Sequence, residues 1–305
     1  MSTESALSLS YRYFAAVAEV GSVRGASRLL NVAASAISRQ LIQLEHVLGV
    51  ELFERHGRQL RLSAAGDVLL KGLRTSEREH ETTLANIAAL KGLKRGMVRI
   101  ATVESVTQTI LPDIIGGFTG RYPGVQLAIT VAGSDAVTEQ VRDTHADLGF
   151  TFNPTSREGI AIEYERKFQT GAIVAPGHAL AKRKTLTVAE CLEHPVAWPA
   201  RGLSLRAIVD RALGRRAIAP KYLVECNSLR MMASLARQGR CIAFQTRIGI
   251  EDDLKTRKLV FIPLTDRALP ADRLMIVRRP ALAKQSAATV FLDQARRYIS
   301  GLPGD

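Results

Sequence analysis

Between residues 21 and 66 the chain reads GSVRGASRLLNVAASAISRQLIQLEHVLGVELFERHGRQLRLSAAG, and no other stretch limits the fold as tightly. Ala26, Leu29 and Leu30 mark the inner face of a short helix, and Asn31 and Val32 interrupt it as a turn between crossed helices would. A second helix begins at Ser35, with Ile37, Leu41, Leu44 and Leu48 on one stripe of a 3.6-residue period. Its opposite face carries Ser35, Ser38, Arg39 and Ile42. Gly49 follows where a helix end favours a left-handed residue. Residues 51–62 then read as a two-stranded hairpin with Arg55, His56, Arg58 and Arg61 about its tip.

This succession predicts a winged helix-turn-helix. Short hydroxyls and one arginine suit a helix lying in the major groove of DNA, where long acidic side chains would be repelled by phosphate. A helix-turn-helix pattern alone can equally be two paired helices of an all-α core; here the turn, the hairpin and its arginines agree with the helices. Arg39 has a competing reading as an ordinary solvated residue, and Arg55 as an ion-pair partner of Glu51 or Glu54.

The stretch resembles the LysR-type transcriptional regulators. The resemblance rests on Gly21-Ser22, Ala26, Ser38-Arg39-Gln40, Leu44-Glu45, Leu48-Gly49, Leu52-Phe53-Glu54-Arg55 and Leu62-Ser63-Ala64-Ala65-Gly66, all in register over some fifty residues. It implies sequence-specific contact with double-stranded promoter DNA, with Ser22, Ala34, Ser35, Ser38, Arg39, Arg55 and Arg58 as candidate DNA contacts. Where relatives start the recognition helix with Ser-Gln-Pro or Ser-Gln-Ser, this chain has Ala33-Ala34-Ser35. Ala33 forgoes a side-chain N-cap, a cost of about 1 kcal/mol. Ala34 lacks an amide that could read a base edge, so the operator preference of relatives need not transfer.

A chain of 305 residues accommodates two or three domains. Up to Lys91 there are 11 basic and 9 acidic residues, net +2, which leaves +11 of the total +13 to the remainder. The excess charge therefore lies outside the DNA reader and suits an anionic small ligand, or simply solubility. No basic-then-apolar leader opens the chain and no apolar run approaches about 18 residues, so a cytoplasmic protein with no membrane partner is expected. Cys191, Cys226 and Cys241 are far apart without a C-x-x-C, which argues for small buried residues rather than disulfides or a metal site.

Residues 64–90 lack proline, and Leu69, Leu73, Ser76, His80, Leu84 and Ile87 trace a stripe, as on a long helix with one face to cover. A helix packed on its own domain would also show such a stripe. The resemblance implies pairing with the same helix of a second subunit, hence a homodimer or homotetramer, and RNA polymerase as a further partner. Two recognition helices on a two-fold axis would read half-sites about one turn apart. Gly92 to Gly96 reads as a hinge. The expected domains are 1–63 for the winged helix-turn-helix, 64–92 for the linker and dimerisation helix, and 93–305 for effector binding.

From Met97 onward short β runs alternate with helices, predicting α/β units with a largely parallel sheet. Strands are expected over 97–103, 125–131 and 147–152, with helices over 106–119 and 134–144. A strand over 168–175 would cross into a second lobe holding helix 203–213, strand 221–225, helix 228–238 and strand 241–244. A return strand over 273–278 and a helix over 283–298 would complete the first lobe, placing lobe one at about 97–167 and 271–305 and lobe two at about 168–270. This two-lobed α/β layout resembles type 2 periplasmic binding proteins and the effector domain of the LysR-type regulators.

Ligands in such lobes bind at strand ends and helix starts, where free backbone N–H groups attract anions. The candidate effector-binding residues are Thr102, Ser105, Ser134, Phe152, Asn153, Arg201, Ser204, Asn227 and Gln245, with Ser228 and Thr246 beside them. Each hydroxyl is also a plain N-cap candidate. Ser105, Ser134 and Arg201 suit an acid group, whereas Glu104 would repel an acid or welcome an amine; an anionic or zwitterionic effector is expected, and no cofactor. Relatives often carry a Gly-x-Gly stretch ending in Pro near residues 239–246, where this chain has Gly239-Arg240-Cys241 and no proline, so ligand identity need not carry over.

No phosphate loop, G-x-S-x-G, paired-histidine metal motif or dinucleotide fingerprint occurs, and no catalytic or metal-binding residues are assigned. The expectation is a transcriptional regulator, not an enzyme, whose DNA contacts respond to a small effector between two lobes. The alternatives are a small-molecule-binding or transport component without a DNA role, and a constitutive architectural DNA-binding protein.

Overall fold

The computed structural model describes residues 8–56, 59–89, 96–214, 222–267, 269–280 and 286–302. The chain divides into two compact units, Met1–Leu84 and Ala85–Asp305.

The first unit opens with helices α1 (Leu9–Val20), α2 (Val23–Leu30) and α3 (Ala34–Leu48). Ser22 starts α2 by accepting a hydrogen bond from the Gly25 N–H (3.1 Å), and Asn31 ends it with φ 53°. Helix α3 starts at Ala34, one residue earlier than expected, and Ala33 gives it no side-chain cap. Ile37, Leu41 and Leu44 pack with Phe14, Val17, Ala26 and Leu52 in one core. Two expected core residues face outward instead: Leu29, 59% exposed, and Leu48, 40% exposed. Val23, Ala26 and Leu30 supply the packed stripe of the short α2, so Leu29 points off it. Strands β1 (Phe53–His56) and β2 (Gln59–Leu62) pair antiparallel from Phe53↔Leu62 to His56↔Gln59 and form the wing. Helix α4 (Ala64–Ala89) follows. Leu69, Leu70 and Leu73 pack on the core of this unit, while Leu84 and Ile87 further along are exposed. The expected hinge at 92–96 lies outside the described residues apart from Gly96.

In the second unit β3 (Gly96–Thr102) leads through a short 3-10 turn (Glu104–Thr107) into α5 (Ile110–Arg121). There follow β4 (Val125–Val131), α6 (Ser134–Arg142), β5 (Leu148–Phe152), β6 (Ala161–Phe168) and β7 (Gly171–Val174). Lobe two continues with α7 (Val188–Cys191), β8 (Ala197–Pro199), α8 (Ser204–Leu213), β9 (Val224–Cys226), α9 (Leu229–Arg237), β10 (Ala243–Gln245), α10 (Glu251–Lys255) and β11 (Val260–Pro263). Strand β12 (Asp272–Arg278) and helix α11 (Ala287–Ser300) return to lobe one.

The lobe-one sheet has the order β4-β3-β5-β12-β6. Strands β4, β3 and β5 are parallel, whereas β12 is antiparallel to both β5 and β6. Lobe two holds an antiparallel trio β10-β7-β11 and a parallel pair β8-β9. The sheets are thus mixed rather than largely parallel, because a strand returning from the other lobe enters the sheet from the opposite end. Strands β6, β8 and β11 were not expected; the expected crossing at 168–175 resolves into the end of β6 and all of β7. Each lobe has its own apolar core, around Phe118, Phe150 and Phe291 in lobe one and around Trp198 and Phe244 in lobe two. Among the described residues no helix is long and apolar enough to cross a membrane, and no cluster of His, Cys, Asp and Glu could hold a metal ion.

Candidate functional site

On the first unit, burial of Ile37, Leu41 and Leu44 turns the other face of α3 outward. Ser35, Arg39 and Ile42 are exposed there, and Ala34 and Ser38 are half-buried. Ser22 is half-buried, with its oxygen engaged as the α2 cap. The Glu45 carboxylate accepts from the Leu52 N–H (2.8 Å) and so ties α3 to the approach of the wing. Arg61 is exposed on β2. Arg58 and the side chain of Arg55 lie outside the described residues, as do the proposed pairings of Arg55 with Glu51 or Glu54.

In the second unit a cavity of about 360 Å³ lies between the lobes. Seven of the residues singled out in the sequence line it: Ser105, Ser134, Phe152, Arg201, Ser204, Asn227 and Gln245, together with Ser228, Thr246 and Glu104. They converge because β3, β4 and β5 end on one side of it and α6, α8 and α9 begin around it. Two candidates do not line it. Thr102 is the last residue of β3, is fully buried, and donates through Oγ1 to the Val103 carbonyl (3.2 Å). Thr102 ends the strand, and the cavity opens only at the next residue, Val103. Asn153 (φ 37°) turns its amide away to donate to the Ala271 carbonyl (3.2 Å) and to Asp272 Oδ1 (3.0 Å), so it supports Asp272 from behind.

Asp272 was absent from the sequence candidates. It begins β12 opposite Phe168, lines the cavity and is only 5% exposed. Its Oδ1 accepts from Asn153 of lobe one and from Ser204 Oγ (3.4 Å) of lobe two. Burial pushes its carboxyl up to about 7, with the Ser204 bond opposing the shift. No spacing in the sequence marks it, since an aspartate at a strand start is an ordinary turn residue.

The lobes touch around the cavity. Glu104 of lobe one accepts from Ser228 Oγ (2.8 Å) and from the Arg230 N–H (3.3 Å) at the start of α9. A Cβ on Gly133 would come within 3.2 Å of the Gly202 carbonyl across the cleft. One on Gly249, whose φ of +85° already favours glycine, would come within 2.8 Å of the Ser105 carbonyl. Neither Gly133 at α6 nor Leu203 at α8 gives its helix a side-chain cap, so the first N–H groups of both helices remain as anion donors. Cys191 and Cys241 are buried with their thiols pushed up, Cys191 to about 12, and Cys226 is half-buried; all three are free.

A winged helix-turn-helix followed by a long helix and a two-lobed α/β binding domain defines the ligand-responsive transcription regulators. Residues 10–67 match the model described as "Bacterial regulatory helix-turn-helix protein, lysR family", and residues 91–300 match "LysR substrate binding domain". The chain belongs to the LysR family of DNA-binding transcriptional regulators. It is 28% identical over 286 residues to the HTH-type transcriptional regulator CbbR of Rhodospirillum rubrum, covering 93% of this chain and 95% of that one. It is 27% identical to the RuBisCO operon transcriptional regulator of Allochromatium vinosum, over 82% of each chain. Full-length CbnR, solved in complex with its target DNA, superposes with a TM-score of 0.67 at 20% identity, covering 95% of this chain and 98% of that one. A small-molecule-binding or transport component without a DNA role is not favoured, because the family match includes the DNA reader.

Proposed function

We propose that this regulator reads promoter DNA through the exposed face of α3 and the wing, and that a small effector in the cavity between the lobes adjusts that binding. Ala34, Ser35, Ser38 and Arg39 are the proposed groove contacts, with Ser22, Arg55 and Arg58 against the phosphates. Ser105, Ser134, Phe152, Arg201, Ser204, Asn227 and Gln245 are the proposed effector contacts, for an anionic or zwitterionic molecule. The observation that carries this reading is the convergence of two uncapped helix starts and seven expected polar or aromatic residues on one cavity. Residues 1–63 serve as reader, 64–92 as linker and 93–305 as sensor. The working form is a homodimer or homotetramer in the cytoplasm, with RNA polymerase as the downstream partner and no catalytic step, cofactor or membrane. An effector that prefers one lobe arrangement shifts the population toward it, and acts on DNA only by that difference in affinity.

The test is binding of the full-length protein to DNA upstream of its own gene and of the divergent neighbour, against unrelated DNA at fixed salt. A preference for the upstream DNA, weakened about tenfold by Arg39→Ala, is the expected result. Affinity for all DNA should fall as salt rises, because phosphate contacts release counterions. A folded protein that binds no DNA at any salt would overturn the reading.

A further inference from the structure

Several polar side chains around the cavity already have partners within the chain. Glu104 is taken by Ser228 and the Arg230 N–H, and the Ser228 hydroxyl also caps α9. Gln245 differs. It is 3% exposed, its Nε2 donates to the Ile248 carbonyl (3.2 Å), and its Oε1 has no hydrogen-bond partner among the described residues. Buried acceptors of this kind are uncommon, because their lost hydration is not recovered.

Asp272, 5% exposed, also lines the cavity. Its two hydrogen bonds, from Asn153 and Ser204, both reach Oδ1, and no cation among the described residues stands beside the carboxyl. Gln245 pairs with Gly171 and Asp272 with Phe168 in their ladders, so both acceptors flank the same short crossing between the lobes. The other wall has the opposite character: the uncapped start of α6 at Ser134, and Arg201 exposed at the rim.

We propose that the effector is a zwitterion, its acid group lying against the start of α6 and Arg201 and its amine held by the Asp272 carboxyl and Gln245 Oε1. This rests on the cavity being the effector site. A simple carboxylate would leave Gln245 Oε1 unpaired and meet Asp272 with like charge. A simple amine would leave the α6 end unmet. Only a molecule with both groups suits both walls.

Full-length protein is tested by calorimetry and thermal shift with three matched probe sets: the standard L-amino acids, the same skeletons without the amine, and the same skeletons without the carboxylate. The expected result is that at least one amino acid binds at least about tenfold more tightly than its amine-less counterpart, and that Asp272→Asn removes this preference. An amine-less acid that binds as tightly as its amino acid, or a preference that survives Asp272→Asn, overturns the zwitterion and leaves the cavity as the effector site. Binding of every active probe unaffected by Asn227→Trp, at the exposed mouth, would instead sink the cavity reading itself.

A readout without ligand decides the case in which no probe binds. Asp272→Asn keeps an oxygen for Asn153 and Ser204 but removes the buried charge. If the carboxyl is held for an amine, the variant melts higher than wild type by about 2–4 °C at pH 8. A variant that melts lower assigns Asp272 to the framework and overturns the proposal.

Discussion

Asp272, buried beside the cavity, couples the stability of the fold to pH. Burial pushes its carboxyl up to about 7 in the folded protein, against an ordinary value of 3.8. Below pH about 4 it is protonated in folded and unfolded chains alike, and its contribution to stability is fully present. As pH rises from about 4 to about 7 the unfolded chain ionises first, so the folded state progressively loses that contribution. Glu251 and Asp266 are also raised by burial and act in the same sense. The difference in melting temperature between wild type and Asp272→Asn isolates the one group: it should widen in the variant's favour from pH 4 to pH 7 and stay level above. The residues beside Asp272 differ in how far the sequence revealed them. Ser134 and Ser204 were legible because a polar residue just before an amphipathic run marks a helix start. Thr102 and Asn153 were marked instead by standing at strand ends, yet they sit behind the cavity wall, since one position along a strand or one left-handed φ redirects a side chain. Asp272 carries no mark, because its partners lie 68 and 119 positions away.

At the scale of elements, legibility followed how one-sided each pattern is. Strand β4 falls on the expected residues, and α4 covers the expected stretch as far as Ala89, the last of it among the described residues. Strand β6, AIEYERKF, mixes apolar and charged residues that satisfy a helical period about as well as an alternating one, and only pairing with β12 decides it. Helix α3 was legible down to its defect: Ala33 offers no cap. Ala33→Ser should therefore stabilise the start of α3 by about 1 kcal/mol, slowing exchange of its first-turn amides about fivefold. Unchanged exchange would mean that another group already serves those N–H donors. Helix α4 raises a different question, since Leu84 is 41% exposed and Ile87 53% exposed among the described residues. If the same helix of a second copy covers them, Leu84→Glu with Ile87→Glu should yield monomers in sedimentation at micromolar concentration. A dimer that persists would place the subunit contact on another surface.

For the whole molecule the alternation of strands and helices announced two lobes, but the contacts that hold them together join residues far apart in sequence. Glu104 and Ser228 are separated by 124 positions, and neither spacing nor composition links them. Their bond ties lobe one to the start of α9, where the carboxylate occupies the helix terminus much as a ligand anion would. On the proposed reading, closure is an equilibrium in which the effector and this latch favour the same state. Glu104→Ala removes the latch but leaves α9 its Ser228 cap, so the fold should persist while the closed arrangement loses about 1–2 kcal/mol. Because the effector must now supply that difference, the concentration giving half-maximal change in DNA binding should rise by roughly fivefold to thirtyfold. Discrimination between an amino acid and its amine-less counterpart should stay as in wild type, since Asp272 and Gln245 are untouched. That combination, a shifted midpoint with retained selectivity, separates a residue acting on closure from one acting on the ligand. An unshifted midpoint would mean that Glu104 and Ser228 stay bonded in both lobe arrangements, and that closure turns on the Gly133 and Gly249 approaches instead.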